Sequence, residues 1–183
     1  RLARVPGGTN LVEPQQQHRL ATLRDAPDSQ PGIVIQDFFG GTDQPRLSIR
    51  GSGIQSNPVN RGVLLLQDGL PLNEADGSFI IGFLEPRNAA LVSARRGANA
   101  LTPGATTLGG ELDFVSLTGA QERGRVRAAA GSYGRQALQA AVGGGGEGFH
   151  RSISASRQRF DGYRPPTASR PDSIQRERCF QCV

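Results

Sequence analysis

Between Gln44 and Ser116 glycine repeatedly interrupts short apolar stretches, in the order Arg46-Leu-Ser-Ile-Arg-Gly-Ser-Gly53, Arg61-Gly-Val-Leu-Leu-Leu-Gln-Asp-Gly69, Arg96-Gly-Ala-Asn-Ala-Leu101 and Thr107-Leu-Gly-Gly110. Apolar runs this short, closing where the backbone can turn sharply, favour short strands and tight turns. Leu47 to Arg50 alternates apolar and polar residues, as a half-buried strand does. Val63 to Leu66 is continuously apolar and suits a strand buried on both faces. Gln67-Asp68-Gly69 then carries the Asp-Gly signal of a tight hairpin turn, left through Leu70-Pro71-Leu72. Leu91 to Arg96 and Glu111 to Ser116 are further predicted strands, with one helical turn expected at Ala98 to Leu101. No apolar run approaches the roughly 18 residues of a membrane-spanning helix, the Phe79 to Leu84 segment being broken by Gly82.

Upstream, Arg4 to Val12 reads as an extended lead-in to a short strand. Leu20, Ala21 and Leu23 predict a short amphipathic helix over Gln16 to Asp25, closed by Ala26-Pro27, and Pro31 to Ile35 a strand. After Thr118-Gly119 the composition shifts. Gly124 to Ala130, Arg135 to Val142 and Phe149 to Phe160 alternate weakly, separated by Gly131-Ser-Tyr-Gly134 and the glycine-rich Gly143 to Gly148. Their lengths fit membrane β-strands, whose alternation is modest. Past Arg164 strand patterning is lost, and disorder or a shifted reading frame is the expectation for that tail.

Charge narrows the functional classes. The net +5 is uneven: residues 1 to 119 carry 10 Arg against 11 acids, residues 120 to 183 carry 11 Arg against 5. A basic excess confined to the tail argues against a nucleic-acid reader, which wants a basic stripe on its folded body. Lysine is absent altogether, which excludes a Walker A phosphate loop and any Schiff-base or pyridoxal site. Cys179 and Cys182 have redox or half-zinc spacing, but His18 and His150 are far away in sequence, so no metal site is expected. No serine elbow, Cys-His pair or Ser-His-Asp order converges, and no catalytic residue is assigned. Glu111 and Asp113 share one face of a predicted strand and are expected to meet Arg95 or Arg96 or to face water.

The four motifs from Leu47 to Ser116, in that order and spacing, resemble the plug domain of TonB-dependent outer-membrane receptors, and Asp161-Gly-Tyr-Arg164 resembles the family's early barrel text. Glu111-Leu-Asp113 and Pro103 depart from the family's pattern. The resemblance implies an α+β fold: a small mixed sheet with short helices and long loops, followed by a few antiparallel strands of an incomplete β-barrel. It divides the chain into a plug at 1 to 119, opening barrel strands at 120 to 164, and an unstructured or anomalous tail at 165 to 183. A transporter barrel of about 22 strands needs hundreds more residues than 183.

In the family, paired Arg-Gly sites tie plug to barrel, which assigns that role to Arg50 and Arg96, each aimed at carboxylates on the barrel wall. The polar connections on either side of the Val63 hairpin become substrate-facing loops, with Ser52, Gln55, Asn57, Asn73, Ser78 and Phe79 as their contact residues. The implied partners are a ferric siderophore or similar chelate, the outer membrane of a Gram-negative-type cell, and TonB, provided a TonB box lies upstream. No cofactor is implied. The chain as it stands is not expected to transport; the alternative is a soluble periplasmic module that binds chelate or TonB.

Overall fold

The computed structural model describes residues 8–14, 25, 30–36, 45–52, 60–82, 84–97, 109–118, 124–146, 149–161, 170 and 172–180. Among these the chain forms eleven strands: β1 (Thr9–Val12), β2 (Ile33–Gln36), β3 (Arg46–Ile49), β4 (Val63–Gln67), β5 (Leu70–Pro71), β6 (Ala89–Arg96), β7 (Gly110–Ser116), β8 (Arg125–Ala130), β9 (Gln136–Gly146), β10 (Phe149–Arg159) and β11 (Asp172–Phe180). They fall into two compact units, the first ending at Val115 and the second starting at Ser116.

The first unit is a mixed five-stranded sheet in the order β1-β6-β7-β4-β5, accompanied by the antiparallel pair β2-β3. β4 runs parallel to β7, with Leu65 opposite Leu112, and antiparallel to β5 through the Asp68-Gly69 turn. Val63, Leu64, Leu65 and Leu66 are all buried, as a strand covered on both faces requires. The core gathers Val63 and Leu65 with Leu47, Ile49, Phe79, Ile81, Val92, Leu112 and Phe114. Among the described residues three turns place positive φ at both central residues, with Arg50 at 54° and Gly51 at 82°, Asp68 at 53° and Gly69 at 77°, Tyr133 at 58° and Gly134 at 67°. That is the signature of a type I′ turn, whose twist matches the strands it joins.

Among the described residues the helical structure amounts to short 3-10 turns such as Pro86–Asn88, opened by Glu85, whose carboxylate accepts from the Arg87 amide at 3.2 Å. Pro86 suits the first position of such a turn because its missing N–H would have no partner there. The expected helical turn at Ala98 to Leu101, and nearly all of the helix expected over Gln16 to Asp25, lie outside the described residues.

The second unit is an antiparallel sheet in the order β11-β10-β9-β8. Two expectations are corrected in it. Gly143 to Gly146 do not separate strands but belong to β9, paired with Ser152 through Phe149 of β10. Backbone hydrogen bonding to a partner strand outweighs glycine's weak strand preference there. Asp172–Phe180, expected to be without structure, is β11, pairing from Arg157↔Asp172 to Phe149↔Phe180. The edge of β10 offers a row of backbone groups that any extended segment can satisfy, whatever its hydrophobic pattern. Cys179 lies in β11 and Cys182 outside the described residues.

Candidate functional site

The two Arg-Gly motifs meet. β3 ends at Ile49, and the Arg50-Gly51 turn is closed by the Ser52 amide donating to the Ile49 carbonyl at 3.0 Å and the Ser52 hydroxyl donating to the same oxygen at 2.7 Å. β6 ends at Arg96, and the Gly97 amide donates to the Gly109 carbonyl at 2.9 Å. The Arg50 guanidinium lies over Gly97, where a Cβ would stand 2.6 Å from Nη1. Arg96 turns to the other side: its Nη1 donates to the Pro31 carbonyl at 2.5 Å and its Nη2 to Asn10 Oδ1 at 3.2 Å. Each motif's glycine or its neighbours therefore give room for an arginine, and Gly97 serves because a side chain there would displace Arg50. The resemblance has both residues reaching outward. Arg50 is exposed, whereas the Arg96 fork is engaged within the first unit.

The turn between Asn73 and Phe79 is built as a backbone substitute. Asn73 Oδ1 accepts from the Leu65 amide at 2.9 Å, and Nδ2 donates to the carbonyls of Val63 at 3.0 Å and Gly77 at 3.2 Å. A carboxamide presents a donor and an acceptor spaced much as a peptide does, so Asn73 continues the ladder begun by the Leu72 amide donating to Leu65 at 2.9 Å. Asp76 accepts from the Ser78 amide at 2.9 Å, an Asx-type turn, and from Arg61 Nη2 at 2.5 Å. Its hydrogen bonds from Ser78, and then the Arg61 guanidinium, lower the pKa of the Asp76 carboxyl to about 2.

Of the residues expected to face substrate, Asn73 and Ser78 thus share one turn and Ser52 lies in another, each with side-chain or backbone groups engaged locally. Gln55 and Asn57 lie outside the described residues. Phe79 is corrected: it is 2% exposed and packs in the core, since its amide bonds to the Asn60 carbonyl at 3.1 Å and turns the ring inward. A buried ring has no free face for a ligand.

Asn60 does not stand out in the sequence. It is buried, its Oδ1 accepting from the Leu47 amide at 3.2 Å and its Nδ2 donating to the Pro45 carbonyl at 3.0 Å. The one signal it leaves is a lone amide just before an apolar run, where a strand start needs its backbone groups satisfied. Glu111 does meet Arg95, at 3.1 Å, with its side chain 2% exposed. Burial pushes its pKa up, the Arg95 charge opposes this, and Asp113 adds to it. Asp113 is also raised, chiefly by burial, against the Gly69 amide that donates to it at 3.2 Å. Among the described residues no group of three His, Cys, Asp or Glu side chains is arranged to hold a metal ion.

The second unit has inverted polarity. Gln139, Ser156 and Gln158 are buried beside Ala141, while Val126, Leu138, Val142, Ile153 and Ile174 are exposed on a face that Arg151, Arg157 and Arg159 of β10 share. The register explains how one face collects them: Val126 lies opposite Ala140, Ala140 opposite Ala155, and Ala155 opposite Ile174, with Val142 opposite Ile153. A sheet in water hides its apolar face; one with its polar face covered suits an apolar surrounding.

A family model described as the TonB-dependent Receptor Plug Domain matches residues 2–111. Solved structures share the fold. The ferric citrate transporter FecA in its unliganded form is 18% identical, with a TM-score of 0.70 over 96% of this chain and 29% of that one. The siderophore receptor PirA from Pseudomonas aeruginosa is 16% identical, with a TM-score of 0.65 over 98% of this chain and 33% of its own. The FrpB iron transporter from Neisseria meningitidis is 18% identical, with a TM-score of 0.69 over 90% and 28%. The chain therefore spans about a third or less of the length of these receptors, with an order of strands that follows their plug and then some of their barrel. With the matched segment covering more than half of its residues and the motifs at Arg50-Gly51, Asp68-Gly69, Arg96-Gly97 and Gly109-Gly110 all within it, the chain belongs to the TonB-dependent receptor plug domain family.

Proposed function

We propose that this chain supplies the plug and the opening barrel strands of an outer-membrane receptor for active uptake of a metal chelate, with a ferric siderophore as the leading ligand class and TonB as the energy-coupling partner. The carrying observation is the polarity of the β8–β11 sheet, whose exposed Val126, Leu138, Val142, Ile153 and Ile174, bordered by Arg151, Arg157 and Arg159, and whose buried Gln139, Ser156 and Gln158 suit a wall between lipid and a polar lumen. The similar receptors, a ferric citrate transporter and a siderophore receptor among them, support the ligand class. In this reading residues 1 to 119 are the plug and 120 to 164 the first wall strands. Exposed Arg50 faces a carboxylate of the wall, and Arg96 joins it only indirectly through the Gly97 contact. The turns holding Ser52 and Ser78 carry the substrate side.

Direct titration tests this. The full chain, in detergent, is titrated calorimetrically with ferric citrate and with a ferric hydroxamate chelate. Saturable binding of either that weakens on Ser78→Ala supports the reading. Binding of neither, under conditions where the chain is folded by circular dichroism, removes the substrate assignment from these turns. Equal binding in detergent-free buffer by a chain that stays monomeric supports the soluble chelate-binding alternative instead.

A further inference from the structure

β1 is held differently at its two ends. At the far end Val12 is 6% exposed and Pro14 is fully buried, so that end is anchored in the core. At the near end there is no buried apolar residue: Leu11 is 43% exposed, and Thr9 and Asn10 are only half-buried. Among the described residues β1 lies at the edge of the sheet, paired with β6. At the near end the ladder sets Thr9 opposite Arg95 and Asn10 opposite Ala94, and Arg96 adds a side-chain hold to it. The Arg96 amide donates to the Gly8 carbonyl at 3.1 Å, Nη2 to Asn10 Oδ1, and Nη1 to the Pro31 carbonyl next to Gly32. Gly8, at φ 86°, passes so close to Nη2 that a Cβ would collide with it. Nε is buried and has no partner among the described residues, where the fork's side-chain hydrogen bonds go to Asn10 and Pro31.

We propose that β1 is a strap anchored at Val12 and Pro14 and clasped by Arg96, which opens from its Gly8 end while β6, β7 and β4 stay paired. Local opening of this kind belongs to edge elements with few buried apolar contacts. Arg96 is a positioning residue here: through the clasp it holds Gly8 and Asn10 in place beside β6. The inference does not depend on the uptake reading.

Hydrogen exchange of the full chain by mass spectrometry tests it, comparing wild type with Arg96→Gln, Arg96→Lys and Asn10→Ala. Arg96→Gln is expected to speed exchange in residues 9 to 11 by about ten- to a hundredfold, the consequence of losing a hydrogen bond from a charged donor. Val63–Gln67 and Gly110–Ser116 keep their rates. Arg96→Lys is not expected to rescue, because an ammonium lacks the planar fork that reaches two acceptors at once. Asn10→Ala, which leaves Arg96 in place, is expected to speed the same segment about fivefold through loss of a single acceptor. Acceleration spread evenly over all of the sheet would make Arg96 an ordinary stabilising residue and overturn the proposal. So would unchanged rates at residues 9 to 11 in Asn10→Ala, a readout that holds even if the Arg96 variants do not fold.

Discussion

Glu111 shows how one buried charge sets the response of the fold to pH. Its carboxylate is drawn out of water at the start of β7, and a single guanidinium, that of Arg95, answers it at 3.1 Å. Desolvation outweighs this attraction, so the folded-state pKa lies above the ordinary 4.5. A carboxyl with a raised pKa binds its proton more tightly in the folded chain than in the unfolded one. Its contribution therefore favours the fold below about pH 4.5 and is lost as pH rises through the raised value. Glu111→Gln keeps the size and stays neutral. The melting temperature of this variant relative to wild type is expected to climb between pH 4 and pH 7, as followed by scanning fluorimetry; a falling difference would mean that the Arg95 pair outweighs burial. Asp76 has the opposite sign, its contribution being present above the ordinary 3.8 and lost as pH falls toward about 2, and its exposure to solvent makes that contribution slight. Asn60 and Asn73 act without charge: each amide closes two or more backbone groups that the strands leave open. The sequence marks Asn73 as polar and in a turn, which makes ligand contact a fair expectation. Its actual use follows from where the Val63 and Leu65 backbone groups end up, which composition does not contain.

At the scale of elements, the glycines divide into two kinds with different costs. Gly51 turns the chain at φ 82°, and a Cβ added to it would meet nothing within 4 Å, so the strain of a left-handed residue is all that a methyl adds there. Gly51→Ala is expected to cost about 1 kcal/mol. Gly109 instead faces the Ser52 side chain and the Ile49 carbonyl, and a methyl there meets backbone that has no rotamer to change. Gly109→Ala is expected to cost about 3 kcal/mol, at the level of a disruptive overpacked site. Urea denaturation of the two variants distinguishes them, and equal costs would show that the close approach at Gly109 relaxes freely. The strands themselves were largely legible. β2, β3, β4, β6 and β7 lie within a few residues of where alternation and the Asp68-Gly69 signal place them, because short apolar runs between turn formers have few other solutions. β11 was not, since Arg176 and Arg178 break the pattern and only the open edge of β10 makes a strand of that segment.

For the molecule as a whole, the second unit predicts a choice of solvent. Its outward face sets Val126, Leu138, Val142, Ile153 and Ile174 in water beside Arg151, Arg157 and Arg159, and the apolar part costs roughly 25 cal/mol for every Å² left exposed. Refolded with vesicles of phosphatidylethanolamine and phosphatidylglycerol, the chain is expected to float with them in a density gradient. Leu138→Arg with Ile153→Arg is expected to abolish flotation, each arginine costing about 2 to 4 kcal/mol on a lipid-facing strand. Flotation unchanged by that pair would place this face away from lipid. The amino-acid sequence alone determined the family, the succession of short strands and tight turns, and the shift in character after Thr118, because these reside in local pattern and in the spacing of glycine and arginine. Tertiary structure alone decided that Phe79 is core, that Arg96 grips Gly8, Asn10 and Pro31, and that Glu111 is buried against Arg95. Each of these joins segments that are distant in the chain, and the direction of a side chain depends on which strands become neighbours, a choice made by packing many residues together.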